Sequence, residues 1–232
     1  MNILLTGASR GIGAATFDLL RSKGHQVVGH STQGSDDLVS GDLADPTAPR
    51  KIWDAAIARL GRIDALVNNA GIYQAVAEEA SDADWQAAWT RTLTINLTAA
   101  ADLCRLAVEH FKGNGGGRIV NVSSRAAFRG DSPQHWHYAA SKSAMIGMTK
   151  TIARAYASDG IIAFAVAPGF TVSEMTEEYL SGRGGAAILA DIPLGRVTST
   201  AEVAEAIRWL ATDAPAASTG SVIDLNGASY VR

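Results

Sequence analysis

Short apolar runs alternate along this chain with longer stretches in which apolar residues recur at helical spacing, and that alternation leaves few architectures open. The runs fall at 2–6, 26–29, 37–40, 65–67, 118–122, 162–166 and 222–225, and the helical stretches at 12–22, 46–60, 82–111, 138–158 and 200–211. Ile3-Leu4-Leu5 is apolar on consecutive residues, the pattern of a strand covered on both faces. Such strands belong to parallel sheets, whose neighbours are joined by helices that pack on the sheet. The expected fold is therefore α/β, a doubly wound parallel sheet with helices on both faces. No composition shift marks a second domain, so residues 1–232 are expected to form one. Between Gly29 and Asp37 there are too few residues for a crossover helix, and a loop is expected there. Two further stretches, 125–137 and 170–196, read as irregular. The second carries Gly182, Gly184, Gly185 and Pro193 and is expected to form a substrate loop or lid.

The first strand runs into Thr6-Gly7-Ala8-Ser9-Arg10-Gly11-Ile12-Gly13 and then into a helix. Gly7 permits a tight turn, and Gly11 and Gly13 allow backbone to come close to a ligand or a strand. The order strand, glycine turn, helix aims the unpaired N–H groups of the first helical turn at whatever lies over the loop. An anion belongs there, most often a pyrophosphate.

Bulk properties narrow the partners. The net charge is -3, which argues against a broad nucleic-acid or anionic-membrane surface. No run approaches the length of a membrane span. The N-terminus reads as strand, without the basic segment and long apolar stretch of a secretory leader. A single cysteine, Cys104, sits in an apolar helical stretch, where a buried structural thiol is expected. One cysteine rules out an internal disulfide and suits a reducing compartment, so a cytoplasmic location is expected.

The chemistry is carried by Tyr138-Ala139-Ala140-Ser141-Lys142. On a helix Tyr138 and Lys142 share a face. A phenol titrates near ~10, and a cation beside it favours the phenolate. The strand at 118–122 ends in Ser123-Ser124, which puts Ser124 on the ligand side of the sheet, able to hydrogen-bond a substrate oxygen; Ser123 is read as turn chemistry. Asn68-Asn69-Ala70-Gly71 closes the strand at 65–67 with small residues that let a flat ligand pass. Asn96 sits within a helical stretch, where asparagine is a mediocre former, and a buried polar role is expected. His135 and His137 have no acidic or cysteine set beside them, and no metal is expected.

Taken together and in order, Thr6-Gly7-x-x-x-Gly11-x-Gly13, Asp42-Leu43, Asn68-Asn69-Ala70-Gly71, Asn96, Ser124, Tyr138-x-x-x-Lys142 and Pro168-Gly169 make the chain resemble a short-chain dehydrogenase/reductase of the compact single-domain kind, over essentially its whole length. The resemblance implies a Rossmann-type sheet and a nicotinamide cofactor. It implies Tyr138 as general acid/base, Lys142 as its pKa-lowering partner and a ribose ligand, Ser124 as donor to the substrate oxygen, and Asn96 as support for a relay water. It implies cofactor contacts from Gly7, Ser9, Arg10, Gly11, Ile12, Gly13, Asp42, Leu43, Asn69, Ala70, Gly71, Pro168, Gly169, Thr171 and Ser173, with Asn68 bracing the sheet. A homo-oligomer, tetramer or dimer, follows from the likeness, built from the helices at 82–111 and 138–158 and the last strand.

An NAD-preferring site offers an acid about 20 residues beyond the glycines. Here the discriminating position falls at Ser31, which is uncharged, while Arg10 supplies a cation and His30 or Thr32 further hydrogen bonds. NADP(H) is expected over NAD(H); the rival is Asp36 or Asp37 reaching the ribose. Substrate-facing candidates are Phe128, Arg129, His135, Trp136, His137, Phe170, Met175 and Tyr179. A small-molecule carbonyl or alcohol is expected, an aromatic ketone and a β-ketoacyl thioester both being compatible. Alternatives on the same fold are a non-catalytic dinucleotide sensor, an NAD-dependent alcohol dehydrogenase, and an isomerase or dehydratase that uses the cofactor transiently.

Overall fold

The computed structural model of the chain describes residues 1–171 and 185–232, without the side chains of 186–188. The apolar runs become β1 (Asn2–Leu5), β2 (Gln26–Ser31), β3 (Leu38–Ser40), β4 (Ala65–Asn68), β5 (Gly117–Val122), β6 (Ile161–Pro168) and β7 (Val222–Leu225). They pair in one seven-stranded sheet in the order β3-β2-β1-β4-β5-β6-β7, every pairing parallel. This is the Rossmann order, with its switch point between β1 and β4. The helices that follow these two strands pack on opposite faces of the sheet, and the crevice this leaves at the strand ends is where such sheets take ligands.

Both faces of the sheet are covered, which explains why the strands are apolar on successive residues. Leu4, Val28, Leu66 and Ile119 point to one side and pack on Ile52, Leu103, Phe111 and Ile152. These come from α2 (Ala48–Leu60), α4 (Ala99–Gly113) and α6 (Trp136–Tyr156). Ile3, Leu5, Val67, Val120 and Phe164 point to the other and meet Phe17, Leu20, Val203, Ile207 and Leu210. Those belong to α1 (Gly11–Ser22) and α8 (Thr200–Thr212). The latter helix is started by a capping box in which Ser199 and Glu202 each take the other's backbone N–H.

Three local features differ from the sequence expectation. The stretch 82–111 is not one helix: α3 (Asp82–Leu93) and α4 are separated by a π-helical turn, Thr94–Thr98, in which the N–H of Ala99 reaches the carbonyl of Thr94. Such turns arise where a tertiary contact outweighs regular winding, and this one holds Asn96. The segment before α6 contains a one-turn helix, α5 (Ala126–Arg129), and α6 itself begins at Trp136 rather than at Tyr138. A short helix, α7 (Gly185–Ala190), lies within the stretch read as irregular. Of the lid expected over 170–196, residues 172–184, with Ser173, Met175 and Tyr179, lie outside the described residues.

The connection from β2 to β3 is a loop, as its length requires. Leu38 packs so closely on Gly29 that a Cβ there would lie 2.4 Å from the leucine Cδ2.

Two glycines of the first turn are needed for opposite reasons. Gly11 has a φ of +56° and open space around its Cα, so a side chain there meets only backbone strain. Gly13 lies against β1's end, and a Cβ on it would sit 1.8 Å from the carbonyl oxygen of Gly7. Gly11→Ala should cost about 1 kcal/mol and Gly13→Ala roughly 3 kcal/mol or more. Urea unfolding of the two variants checks this; equal losses would show that the helix start does not press on the strand.

Candidate active site

The carboxyl ends of β1, β4, β5 and β6 carry the residues singled out in the sequence, and side-chain hydrogen bonds lock these ends together. Thr6 Oγ1 accepts from the backbone N–H groups of Asn69 and Ala70, both at 3.0 Å. Asn69 Nδ2 donates back to the carbonyls of Thr6 and Gly7. The Asn69 side chain thus braces the glycine turn from β4. From the other side His30 does the same: its Nδ1 accepts from Gly7 N–H and its Nε2–H donates to the Gly41 carbonyl at 2.8 Å. The ring is 2% exposed, and burial first of all lowers its pKa, so it is neutral. The sequence reading of His30 as a donor to a cofactor phosphate is therefore corrected: a short polar residue at a strand end looked available, but both its nitrogens are engaged in holding the loop.

Above this frame α1 begins at Gly11 with Arg10 as its N-cap residue, and no side chain caps it. Its first N–H groups face the space over Gly11. Ser9 and Arg10 are exposed and Ile12 partly so. Arg10 has no ion pair among the described residues. Ser31 ends β2, buried, with its hydroxyl accepting from Gly34 N–H; Thr32 is exposed. Asp37 pairs with Arg21 at 3.5 Å. Asp42 is exposed and accepts from Ala44 N–H, and Leu43 beside it is buried.

Tyr138 lies on the first turns of α6, partly buried, with Lys142 one turn on. The Lys142 ammonium is 5.9 Å from the phenol ring centroid and donates to the Val122 carbonyl at 2.8 Å. It passes close to Gly71, where a Cβ would stand 3.4 Å from Nζ. The two serines have separate tasks. Ser123 is buried and donates to the Lys142 carbonyl, whereas Ser124 lies beside Tyr138 and accepts from Ala126 N–H. Asn96 is fully buried, its Oδ1 accepting from Ile72 N–H at 2.8 Å and its Nδ2 donating to the Ile72 carbonyl and to Ser141 Oγ. Its amide positions the strand-end segment directly. At β6, Gly169 N–H donates to Leu225, and Arg125 N–H to Pro168. Thr171 forms a bridge with Thr198.

The expected lowering of the Tyr138 pKa by Lys142 is not what this arrangement gives. Burial pushes the phenol above its ordinary value; a hydrogen bond from the Ser124 side chain opposes this, and the Asp131 carboxylate adds to it. Lys142 is itself brought down to about 8 by burial. Desolvation, which only the folded chain reveals, outweighs the helical spacing of the pair.

Sequence reasoning missed Tyr73. Its ring stands 4.8 Å from that of Tyr138, nearly perpendicular, and stacks on His135 at 3.8 Å. Its place just after Asn69-Ala70-Gly71 was the available signal. Of the other candidates, Phe128 stacks on Tyr230 and Phe170 lies under Arg125. Arg129 pairs with Asp191, Trp136 meets Trp85, and His137 is buried beside Trp89. Cys104 is buried, its thiol pushed up to about 12, in contact with the Asn68 and Asn121 amides. Among the described residues no group of three or more metal-ligating side chains gathers.

A parallel sheet with an uncapped helix after its glycine turn, a serine past the end of β5, and a tyrosine and a lysine on the helix packed there form the arrangement of a dinucleotide-binding oxidoreductase. The sequence profile of the family described as short chain dehydrogenase matches residues 1–184. The chain is 34% identical over 241 residues to the 3-oxoacyl-[acyl-carrier-protein] reductase FabG of Escherichia coli, covering 98% of this chain and 96% of that protein. It is 36% identical over 240 residues to the protein of the same name from Thermotoga maritima, covering 97% and 95%. It is 36% identical over 238 residues to the cis-4-hydroxycyclohexanecarboxylate dehydrogenase of Sinomonas cyclohexanicum, covering 97% and 94%. The chain belongs to the short-chain dehydrogenase/reductase family and is an NAD(P)-dependent oxidoreductase acting on CH–OH or carbonyl groups.

Lys142 yields a test of the buried charge. Its proton is released near pH 8 in the folded chain, against 10.5 for an ordinary lysine. Below about 8 the ammonium is therefore a constant penalty to folding, and the penalty lifts as pH rises from 8 to 10.5. Lys142→Met should stabilise the cofactor-free protein at neutral pH by about 2 kcal/mol, the lifted penalty less one lost hydrogen bond. The gain should shrink as pH rises from about 8 to 10.5 and be gone above it. Thermal melts at two pH values measure it; a lower melting point at neutral pH would contradict it.

Proposed function

We propose that the chain interconverts a small-molecule carbonyl and its alcohol with NADP(H) in preference to NAD(H), and that Tyr138 is the acid/base. The observation that carries this reading is the convergence of Tyr138, Ser124 and Lys142 around the end of β5, with only β4 between that strand and the one that leads into the uncapped start of α1. The residues fit a dinucleotide. Gly11 faces open space, Gly13 leaves no room for a Cβ, and the buried Lys142 ammonium makes one hydrogen bond with donors to spare.

Gly7, Ser9, Gly11, Ile12 and Gly13 would hold the pyrophosphate end, Arg10 the 2′-phosphate of the adenosine ribose, Asp42 and Leu43 the adenine, and Asn69, Ala70 and Gly71 the floor between. Lys142 would bind the nicotinamide ribose, and Pro168, Gly169, Thr171 and Ser173 the carboxamide side. The cofactor supplies the hydride to the carbonyl carbon, or accepts it in reverse. Tyr138 donates its proton to the carbonyl oxygen in reduction and takes it back in oxidation. Ser124 donates a hydrogen bond to the same oxygen as charge develops on it. A phenol raised by burial stays protonated through neutral pH, the form that reduction needs. Asn96 fixes the Ile72 segment against this group and, through Ser141, the first turns of α6.

The preference for NADP(H) is supported by Arg10, exposed and without an ion pair among the described residues, and by Ser31 in place of an acid. Asp37 is engaged with Arg21 instead. The relatives' names, a 3-oxoacyl reductase and a cyclic-alcohol dehydrogenase, both point to a C=O/C–OH centre. A cytoplasmic location and a homo-oligomer, tetramer or dimer, complete the reading; no helix among the described residues is long and apolar enough to cross a membrane.

Tyr138→Phe should bind NADPH as the wild type does and lose at least about a hundredfold in turnover; undiminished turnover would refute the role. Fluorescence titration should find NADPH tighter than NADH, with Arg10→Ala weakening NADPH about tenfold and leaving NADH within about twofold, the loss of one exposed cation–phosphate contact. Tighter NADH in the wild type would reverse the assignment.

A further inference from the structure

Tyr73 is a large aromatic residue that keeps 50% of its surface exposed while standing directly beside the proposed acid/base. Several contacts hold it there. Its hydroxyl donates to Asp131 Oδ1 at 3.0 Å, and its ring lies on His135 with only 2° between the planes. His135 is fixed in turn by Ser132 Oγ, 2.6 Å from its Nδ1, and the Ser132 N–H donates to the same Asp131 oxygen. The loop after β4 and the loop before α6 are also joined by Val76 N–H to the Gln134 carbonyl at 3.0 Å. On its other flank Ile72 has both backbone atoms bonded by Asn96. Tyr73 is thus an exposed ring whose position is set from two loops and a buried amide.

We infer that Tyr73 is the residue that selects carbonyl substrates bearing a ring next to the reacting carbon, aromatic or alicyclic, by packing that ring against its own. The inference rests on the proposed carbonyl–alcohol chemistry at Tyr138. The two tyrosine rings have their centroids 4.8 Å apart, so a group attached to a carbonyl that is hydrogen-bonded to the Tyr138 hydroxyl is placed to reach the Tyr73 ring. One face of Tyr73 is taken by His135, so the substrate meets its remaining exposed surface. Aromatic rings favour offset or edge-on partners of that kind. A ring already immobilised loses little freedom on binding, whereas a flexible chain laid on the same surface must be ordered first. Asp131 borders this surface, so the informative probes are uncharged.

Acetophenone and 2-octanone have the same number of carbons and differ in the ring. Steady-state kcat and KM with NADPH are measured for wild type, Tyr73→Ala and Tyr73→Phe, with NADPH fluorescence titration confirming that each variant is folded and binds cofactor. The wild type should prefer acetophenone in kcat/KM. Tyr73→Ala should lower that preference about tenfold or more, chiefly through KM for acetophenone, the ordinary yield of one packed ring pair. Tyr73→Phe should restore it, since the ring remains and only the hydroxyl is lost. An unchanged preference in Tyr73→Ala overturns the assignment, as does a loss in Tyr73→Phe equal to that in Tyr73→Ala, or a wild type without preference. A wild type that binds NADPH and is inert towards a broad panel of ketones and alcohols overturns the carbonyl–alcohol reading, and this assignment falls with it.

Discussion

The amide nitrogen of Asn69 donates to the carbonyls of Thr6 and Gly7 at 3.0 Å each, and the geometry of the site depends on that stitch. A doubly wound sheet brings the carboxyl ends of β1 and β4 side by side but lets them part at the switch point. Without a cross-link the glycine turn would have several conformations. Asn69 and Thr6 tie it to β4, and His30 ties it to β2. The start of α1 then presses on Gly7 closely enough to exclude any side chain at Gly13. The uncapped start of α1 is consequently fixed relative to the segment 69–73, and through Asn96 and Ser141 relative to Tyr138. Two halves of a site that are far apart in sequence become one rigid surface, the condition for holding two reactants in reacting geometry.

The interior follows the same economy of polar groups. Asn68, Asn121 and Thr149 form a buried chain across β4, β5 and α6, with the Cys104 thiol alongside. A thiol pushed up to about 12 in that setting is inert and structural. Lys142 differs from these groups, a buried ammonium with one carbonyl partner and spare donors. Burial lowers its pKa to about 8, and strongly shifted groups of that kind cluster at functional sites. A Cβ on Gly71 would stand 3.3 Å from Asn96 Oδ1 and 3.4 Å from that ammonium.

The sheet was legible because consecutive apolar residues can be buried only between two helical layers, and Ile3-Leu4-Leu5 or Ile119-Val120 state that directly. The helix pair Tyr138 and Lys142 was legible from spacing, as was the loop between Gly29 and Asp37 from length. What stayed hidden depends on contacts distant in sequence. The π turn at Thr94–Thr98 coincides with the bonding of Asn96 to Ile72, which no local periodicity encodes. His30 looked like a donor at a strand end until the fold placed Gly7 and Gly41 on its two nitrogens. The direction of the Tyr138 shift is set by burial, which is not written in the i and i+4 pattern. Tyr73 stands in a loop without periodicity, so only the folded chain shows that it lies on His135 and beside Tyr138.

The central claim is that the glycine turn and the Tyr138, Ser124 and Lys142 group serve one dinucleotide, whose hydride goes to a carbonyl carbon. A single-turnover reaction with NADPH deuterated at the reactive position of the nicotinamide, followed by mass and NMR analysis of the product, tests it most directly. The account predicts deuterium on the carbinol carbon of the alcohol, in an amount equal to the NADPH oxidised. Label retained on the cofactor while substrate is converted, or a product reduced with solvent hydrogen at that carbon, would contradict it.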